Sequence, residues 1–245
     1  LIMLLDSDDW LAADACEKLL ALIKGKNADC IVCGLKQTSG NIWAPAFDKD
    51  YSDLASFKCD FIYWINTELL SSSVNKIYKR GLITELYPEN MSFGEDLVFV
   101  LNYLKHCNRI SFTQEPLYQH EVYNSVSLTH SFSPARFSNL EDIQKAILDF
   151  ADDKNKINPR IYDKYVKDAL HLTRMWYKNK NVPYIRKKEI IGEWLKQSYI
   201  RKLKISDYQL HWKDRMLLHC LHMSCFIGIN LIVNGKEYIN SLSKE

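Results

Sequence analysis

The chain opens on an unbroken apolar run, Leu1-Ile2-Met3-Leu4-Leu5, that ends on three carboxylates in four positions, Asp6-Ser7-Asp8-Asp9. A short uninterrupted apolar run predicts a strand buried on both faces of a mostly parallel sheet. Ala15, Leu19, Leu22 and Ile23 fall on one helical face, and Gly25 is expected to stop that helix in a left-handed cap. Residues 28–35 read as a second buried strand, 37–40 as a turn, and 41–46 as its hairpin partner. Ser52 or Asp53 caps a helix to about Asn66, with Leu54, Phe57, Phe61, Ile62 and Ile65 inward. A short strand in 72–80 ends in a basic cluster. Beyond Pro88, Gly94-Glu95-Asp96 opens a helix whose face is Leu97, Val100, Leu101 and Leu104. A strand over 109–113 follows, then an edge strand or active-site loop over 118–127. From Pro134 onward the period is helical, over 135–154, 158–180, 184–197 and 207–233.

Composition adds a division of charge. The 245 residues carry a net charge of +2, with 47% hydrophobic and 25% charged residues, ordinary for a globular protein. Residues 1–130 hold 11 Lys+Arg against 17 Asp+Glu, and residues 131–245 hold 21 against 13. This predicts two domains, an acidic α/β domain over 1–130 and a basic, aromatic-rich helical domain over 131–245. The seven cysteines are odd in number, which fits reduced, buried thiols of a cytosolic protein. Cys30-x-x-Cys33 lacks a second pair at zinc spacing. Residues 216–235 carry no Asp, Glu, Lys or Arg, but His219, His222, Asn230 and Asn234 argue for a core or interfacial helix over a spanning one.

The acidic strand end and the Glu-Asp pair carry the chemistry. Three carboxylates this close repel one another, and a hard divalent cation, Mn²⁺ or Mg²⁺, relieves that repulsion. The less specific alternative is that the acids cap the next helix. Asp96 and Glu95 stand at a helix N-terminus, where the dipole favours an ionised carboxylate able to accept a proton. A calcium loop counted from Asp6 would need Gly at position 11, which is Leu. A haloacid-dehalogenase-like phosphatase would need a small residue and Thr where Asp9-Trp10 stand.

Five pieces in this order resemble the inverting family 2 glycosyltransferases of the GT-A fold. They are Leu5–Leu11, the helix with the Ala28–Val32 strand, Asn75-Lys76-Ile77-Tyr78-Lys79-Arg80, Phe93-Gly94-Glu95-Asp96, and Pro116-Leu117-Tyr118 through Ser125-Val126-Ser127. The resemblance covers about residues 1–130. It implies the C-terminal half of a GT-A domain, a Rossmann-like mixed sheet, followed by an all-helical region. It further implies sugar transfer from a nucleotide-sugar, such as a UDP-sugar, to a hydroxyl of a glycan or lipid-linked glycan, in surface polysaccharide or lipopolysaccharide synthesis. Asp6 and Asp8 would hold Mn²⁺ or Mg²⁺ against the donor diphosphate, with His120 and Tyr118 near it. Asp96 would be the general base, and Glu95 would orient or bind the acceptor. Asp9 would cap the turn or reach the metal through water, and Lys76 and Arg80 would face phosphates or form a solvated strand end.

The family's nucleotide-binding βα units, with an Asp-Asp-Gly-Ser-like turn, have no counterpart in these residues. The expectation is therefore an N-terminally truncated chain, inactive by itself, with a non-catalytic binding or scaffolding remnant as the alternative. The basic helical half suits anionic headgroups at the inner face of the plasma membrane, or a helical lid or oligomer contact, in preference to nucleic acid. The expected location is cytoplasmic, peripheral to that membrane.

Overall fold

The computed structural model describes residues 1–122, 133–152 and 158–242. The chain divides into two compact units, Leu1–His130 with Ala146–Asp153, and Ser131–Lys145 with Lys154–Glu245. The first unit is α/β and the second helical.

The first unit holds two mixed sheets. One has the order β1 (Ile2–Met3), β7 (Lys76–Tyr78), β3 (Cys30–Val32), β8 (Ile110–Phe112), β6 (Lys49–Tyr51). The other runs β2 (Trp10–Leu11), β9 (Tyr118–His120), β4 (Leu35–Gln37), β5 (Ile42–Trp43). Each contains one parallel pair, β3 with β8 and β4 with β9. The same two chain segments thus run side by side through both sheets. Gly34 makes the passage possible, because a Cβ there would stand 2.7 Å from Ala44 Cβ and 3.1 Å from the Glu115 carbonyl oxygen.

The opening run is not the buried strand of a parallel sheet that its apolarity predicts. β1 is a two-residue edge strand, antiparallel to β7, with Leu1 54% and Leu5 51% exposed. Apolarity reports a preference for burial but cannot supply neighbouring strands. β9, conversely, lies between β2 and β4, not at an edge. Residues 123–127 of that expectation lie outside the described residues.

Helix α1 (Ala15–Gly25) buries Ala15, Leu19 and Ile23. Gly25 is its last helical residue, and the left-handed position falls on Asn27, φ 46°, which tolerates it through its short polar side chain. Helix α2 (Leu54–Asn66) starts at Asp53, whose carboxylate accepts from Ser56 N–H at 2.8 Å. It lays Phe57, Phe61 and Trp64 on the sheet. Trp64 stacks on Phe112 with centroids 3.7 Å apart, and Phe150 of helix α4 (Ala135–Ala151) closes on Phe61 at 4.7 Å. Helix α3 (Glu95–Leu104) buries Leu97, Val100, Leu101 and Leu104 as its period predicts.

The second unit is built from the first part of α4, then α5 (Asp163–Lys178), α6 (Tyr184–Gln197), α7 (Trp212–His222) and α8 (Phe226–Leu242). The single helix expected over 207–233 is two. Ser224 takes φ 52° and turns the chain between α7 and α8. Among the described residues no helix is long and apolar enough to cross a membrane. Cys30, Cys33 and Cys107 are buried as expected for structural thiols, but Cys16, Cys59 and Cys225 are exposed. Burial pushes the Cys30 and Cys33 thiols up to about 12 and about 11, so both stay protonated.

Candidate active site

The acidic stretch forms the turn that carries the chain from β1 in one sheet to β2 in the other, closed by Asp9 N–H on the Asp6 carbonyl at 3.2 Å. Tyr118, fully buried on β9, holds this turn. Its hydroxyl accepts from Asp6 N–H at 3.2 Å and donates to Asp9 Oδ2 at 2.6 Å. Asp9 also accepts from Glu121 N–H at 2.8 Å, and His120 Nδ1 lies 3.2 Å from both its oxygens. The Asp9 side chain is 1% exposed. It therefore caps β9 and neither the turn nor helix α1; α1 begins after Asp14. With His120 Nδ1 turned to Asp9, Nε2 is the nitrogen left for a ligand.

Asp6 and Asp8 remain solvent-accessible at the same turn. Partial burial raises the Asp6 pKa, and the charges of Asp9, Asp96 and Asp8 raise it further, against a smaller lowering by His120. Residue 96 thus comes to act on residue 6, although 90 positions separate them in the chain. Among the described residues no group of three or more His, Cys, Asp and Glu is arranged to hold a metal ion. Two accessible carboxylates of raised mutual repulsion still suit Mg²⁺ or Mn²⁺, because such ions are commonly held by one or two carboxylates and completed by substrate phosphates and water. The donor set thus fits a hard cation bound together with a diphosphate.

Asp96 is set by a hydrogen-bond chain. Gly94 is the N-cap of α3 in the left-handed region, φ 76°, which directs Glu95 and Asp96 into the first turn. Ser73, 2% exposed, donates to Asp96 Oδ1 at 2.8 Å, and Tyr87 donates to Ser73 Oγ at 2.7 Å. Tyr78 fixes the same segment by donating to the Ser73 carbonyl at 2.6 Å. Glu95 Oε2 is enclosed without a hydrogen-bond partner, an uncommon state for a carboxylate oxygen.

Lys76 serves neither as a phosphate ligand nor as a solvated strand end. It is fully buried, and its ammonium donates to the Leu69 carbonyl at 2.8 Å, to Asn75 Oδ1 at 2.6 Å and to the Ser72 carbonyl. Burial brings its pKa down to about 8. It clamps the segment that presents Ser73. Arg80 is exposed. Ser73 and Tyr87 escape a reading of the sequence, since a Ser beside two others and a Tyr before Pro88 carry no periodic or motif signal.

The chain matches no protein-family model and no curated protein sequence. Its fold matches solved structures of TarS from S. aureus. The structure of TarS 1–349 in complex with UDP-GlcNAc superposes with a TM-score of 0.63 at 18% identity, covering 96% of this chain and 67% of that one. The complex of TarS 1–349 with UDP gives 0.61 at 16% identity, over 96% and 66%. A further TarS crystal structure gives 0.53 at 17% identity, over 95% of this chain and 39% of that one. The likeness shows that the chain shares the fold of these TarS structures. The chain spans about two thirds of the TarS 1–349 structures and less of the larger one.

Proposed function

We propose that this chain carries the metal and acceptor side of an inverting, family 2-type glycosyltransferase that moves a sugar from a UDP-sugar to an acceptor hydroxyl. The observation that supports the reading is that the charge of Asp96, which is anchored at a helix start by Ser73, acts on Asp6 in the acidic turn. The TarS complexes with UDP-GlcNAc and UDP support a nucleotide-sugar as donor.

In this reading Asp6 and Asp8 hold Mn²⁺ or Mg²⁺, which when bound offsets charge on the donor diphosphate. Asp96 accepts the acceptor hydroxyl's proton as that oxygen attacks the anomeric carbon and the nucleoside diphosphate leaves from the opposite face. Ser73 occupies Asp96 Oδ1. Oδ2 is then the oxygen that takes the proton, and the Tyr87–Ser73 chain fixes its direction. Glu95, in the same first turn of α3, orients or binds the acceptor. His120, oriented by Asp9, meets the diphosphate through Nε2. The acceptor class we favour is a glycan or lipid-linked glycan of surface polysaccharide synthesis. The basic helical unit would rest on anionic headgroups at the cytoplasmic face of the membrane.

The test is sugar transfer from UDP-GlcNAc with Mn²⁺ by a protein that joins these residues to a nucleotide-binding half, alongside calorimetric binding of the donor. Asp96→Asn should lower kcat by about 10²- to 10⁴-fold with donor affinity kept, the range of general-base loss. Asp8→Asn should instead abolish Mn²⁺-dependent donor binding. Full transfer activity in Asp96→Asn would refute the base assignment. Tight donor binding by these 245 residues alone would overturn the expectation that they lack the nucleotide-binding half, and absence of donor binding when that half is supplied would leave the non-catalytic remnant as the better reading.

A further inference from the structure

The turn between α7 and α8 closes a complete Schellman motif. Cys225 N–H donates to the Cys220 carbonyl at 2.7 Å and Ser224 N–H to the Leu221 carbonyl at 3.0 Å. Ser224 supplies the left-handed residue at φ 52°. This motif brings its third-from-last helical residue against the second residue beyond the cap, usually as an apolar contact. Here that contact is made by two thiols. The Cys220 and Cys225 thiols lie on the same side of the turn, both next to Gly228. Both sulfurs crowd the same point on α8. A Cβ on Gly228 would stand 2.6 Å from Cys220 Sγ and 3.1 Å from Cys225 Sγ, so a larger residue there would push a sulfur aside. The two differ in access, since Cys225 is exposed and Cys220 is half-buried.

We propose that Cys220 and Cys225 form a dithiol site that closes to an intramolecular disulfide on reaction with a hydroperoxide. The accessible Cys225 attacks the peroxide O–O bond as thiolate, taking one oxygen to become a sulfenic acid and releasing water. Cys220 then attacks the Cys225 sulfur, forming the S–S bond and expelling the oxygen as a second water. Two thiols and one hydrogen peroxide give one disulfide and two waters, and a reducing thiol reverses the bond. The exposure of Cys225 and the partial burial of Cys220 assign first attack to Cys225 and leave Cys220 to resolve. The bond would staple the end of α7 to the start of α8. Cys16 and Cys59 are exposed and serve as internal controls.

The test treats the whole chain with one equivalent of hydrogen peroxide, alkylates remaining thiols, and maps peptides without reduction. Cleavage after Arg215 and Lys236 places both cysteines on one peptide. That peptide should be recovered unalkylated and two hydrogens lighter, at a yield at least about 10-fold above oxidation of Cys16 or Cys59. Dithiothreitol should restore two alkylatable thiols. Cys220→Ser should leave Cys225 as a sulfenic acid trapped by dimedone. Gly228→Ala should abolish closure by parting the sulfurs, with helix content by circular dichroism as the check on folding. A wild-type peptide that keeps two free thiols, or that carries two separate adducts, while Cys16 or Cys59 oxidises, would overturn the proposal.

Discussion

In the helical unit, Glu141 is surrounded by donors. Its Oε1 accepts from Tyr165 at 2.5 Å and Trp194 Nε1 at 2.6 Å, and its Oε2 from Tyr199 N–H at 3.1 Å. In the α/β unit, Asp6 feels the charges of Asp9, Asp96 and Asp8. Burial raises the pKa of both carboxyls, yet they are opposite kinds of site. The donors around Glu141 offset part of what desolvation takes, and the group ties helices together. The neighbours of Asp6 add repulsion to desolvation, so ionisation of the group opposes folding. Asp9, three positions away, has the Glu141 type of environment. A count of acids in sequence cannot separate these cases; the donors around each one do.

This contrast breaks if substitutions at the two kinds of carboxylate behave alike. The largest effect is the loss of turnover in Asp96→Asn, which should leave thermal stability nearly unchanged. Next is Glu141→Ala, which removes the carboxylate that accepts from Trp194 Nε1–H and Tyr199 N–H while Tyr165 keeps Ser198 at 2.7 Å. A loss of about 2–3 kcal/mol is expected for charge-assisted bonds of this kind. Differential scanning calorimetry should then show a melting temperature lower by roughly 4–10 °C. A change near zero would remove Glu141 from the structural class.

Asp29 gives an intermediate case with a pH signature. Burial opposes its ionisation, but Lys79 at 2.7 Å and the N–H groups of Arg109 at 3.0 Å and Asn108 at 2.8 Å hold its carboxyl below 3.8. A depressed folded-state pKa stabilises the protein above the unfolded value and loses that stabilisation as pH falls through the folded one. Wild type should therefore lose more stability than Asp29→Asn between about pH 4 and pH 2. Denaturant midpoints across that range provide the check.

Asp6 has the opposite sign. Its raised pKa means that ionisation weakens the metal-free fold, so its contribution improves as pH falls through the folded value. Asp6→Asn should raise the metal-free melting temperature slightly, by about 1–2 °C, while Mn²⁺-dependent donor binding disappears. A fall in melting temperature would show that Asp6 is held by donors, as Asp9 is, and would end the contrast.

The sequence by itself determined the elements whose cause is local. The 3.6-residue period fixed α1, α2 and α3, Asp53 marked the start of α2, and the turn at 37–40 preceded β5. The two acidic motifs were legible too, because each is contiguous. Tertiary structure decided what depends on partners distant in the chain. It placed β1 at an antiparallel edge, moved the left-handed residue from Gly25 to Asn27, and split the last helical stretch at Ser224. It also buried Lys76 among carbonyls, gave Asp9 to Tyr118 and Glu121, and set Ser73 and Tyr87 behind Asp96. Helix periodicity and capping are settled within one or two turns of backbone. Desolvation and hydrogen-bond supply depend on which segments pack together, and those separations here reach 112 positions between Asp9 and Glu121.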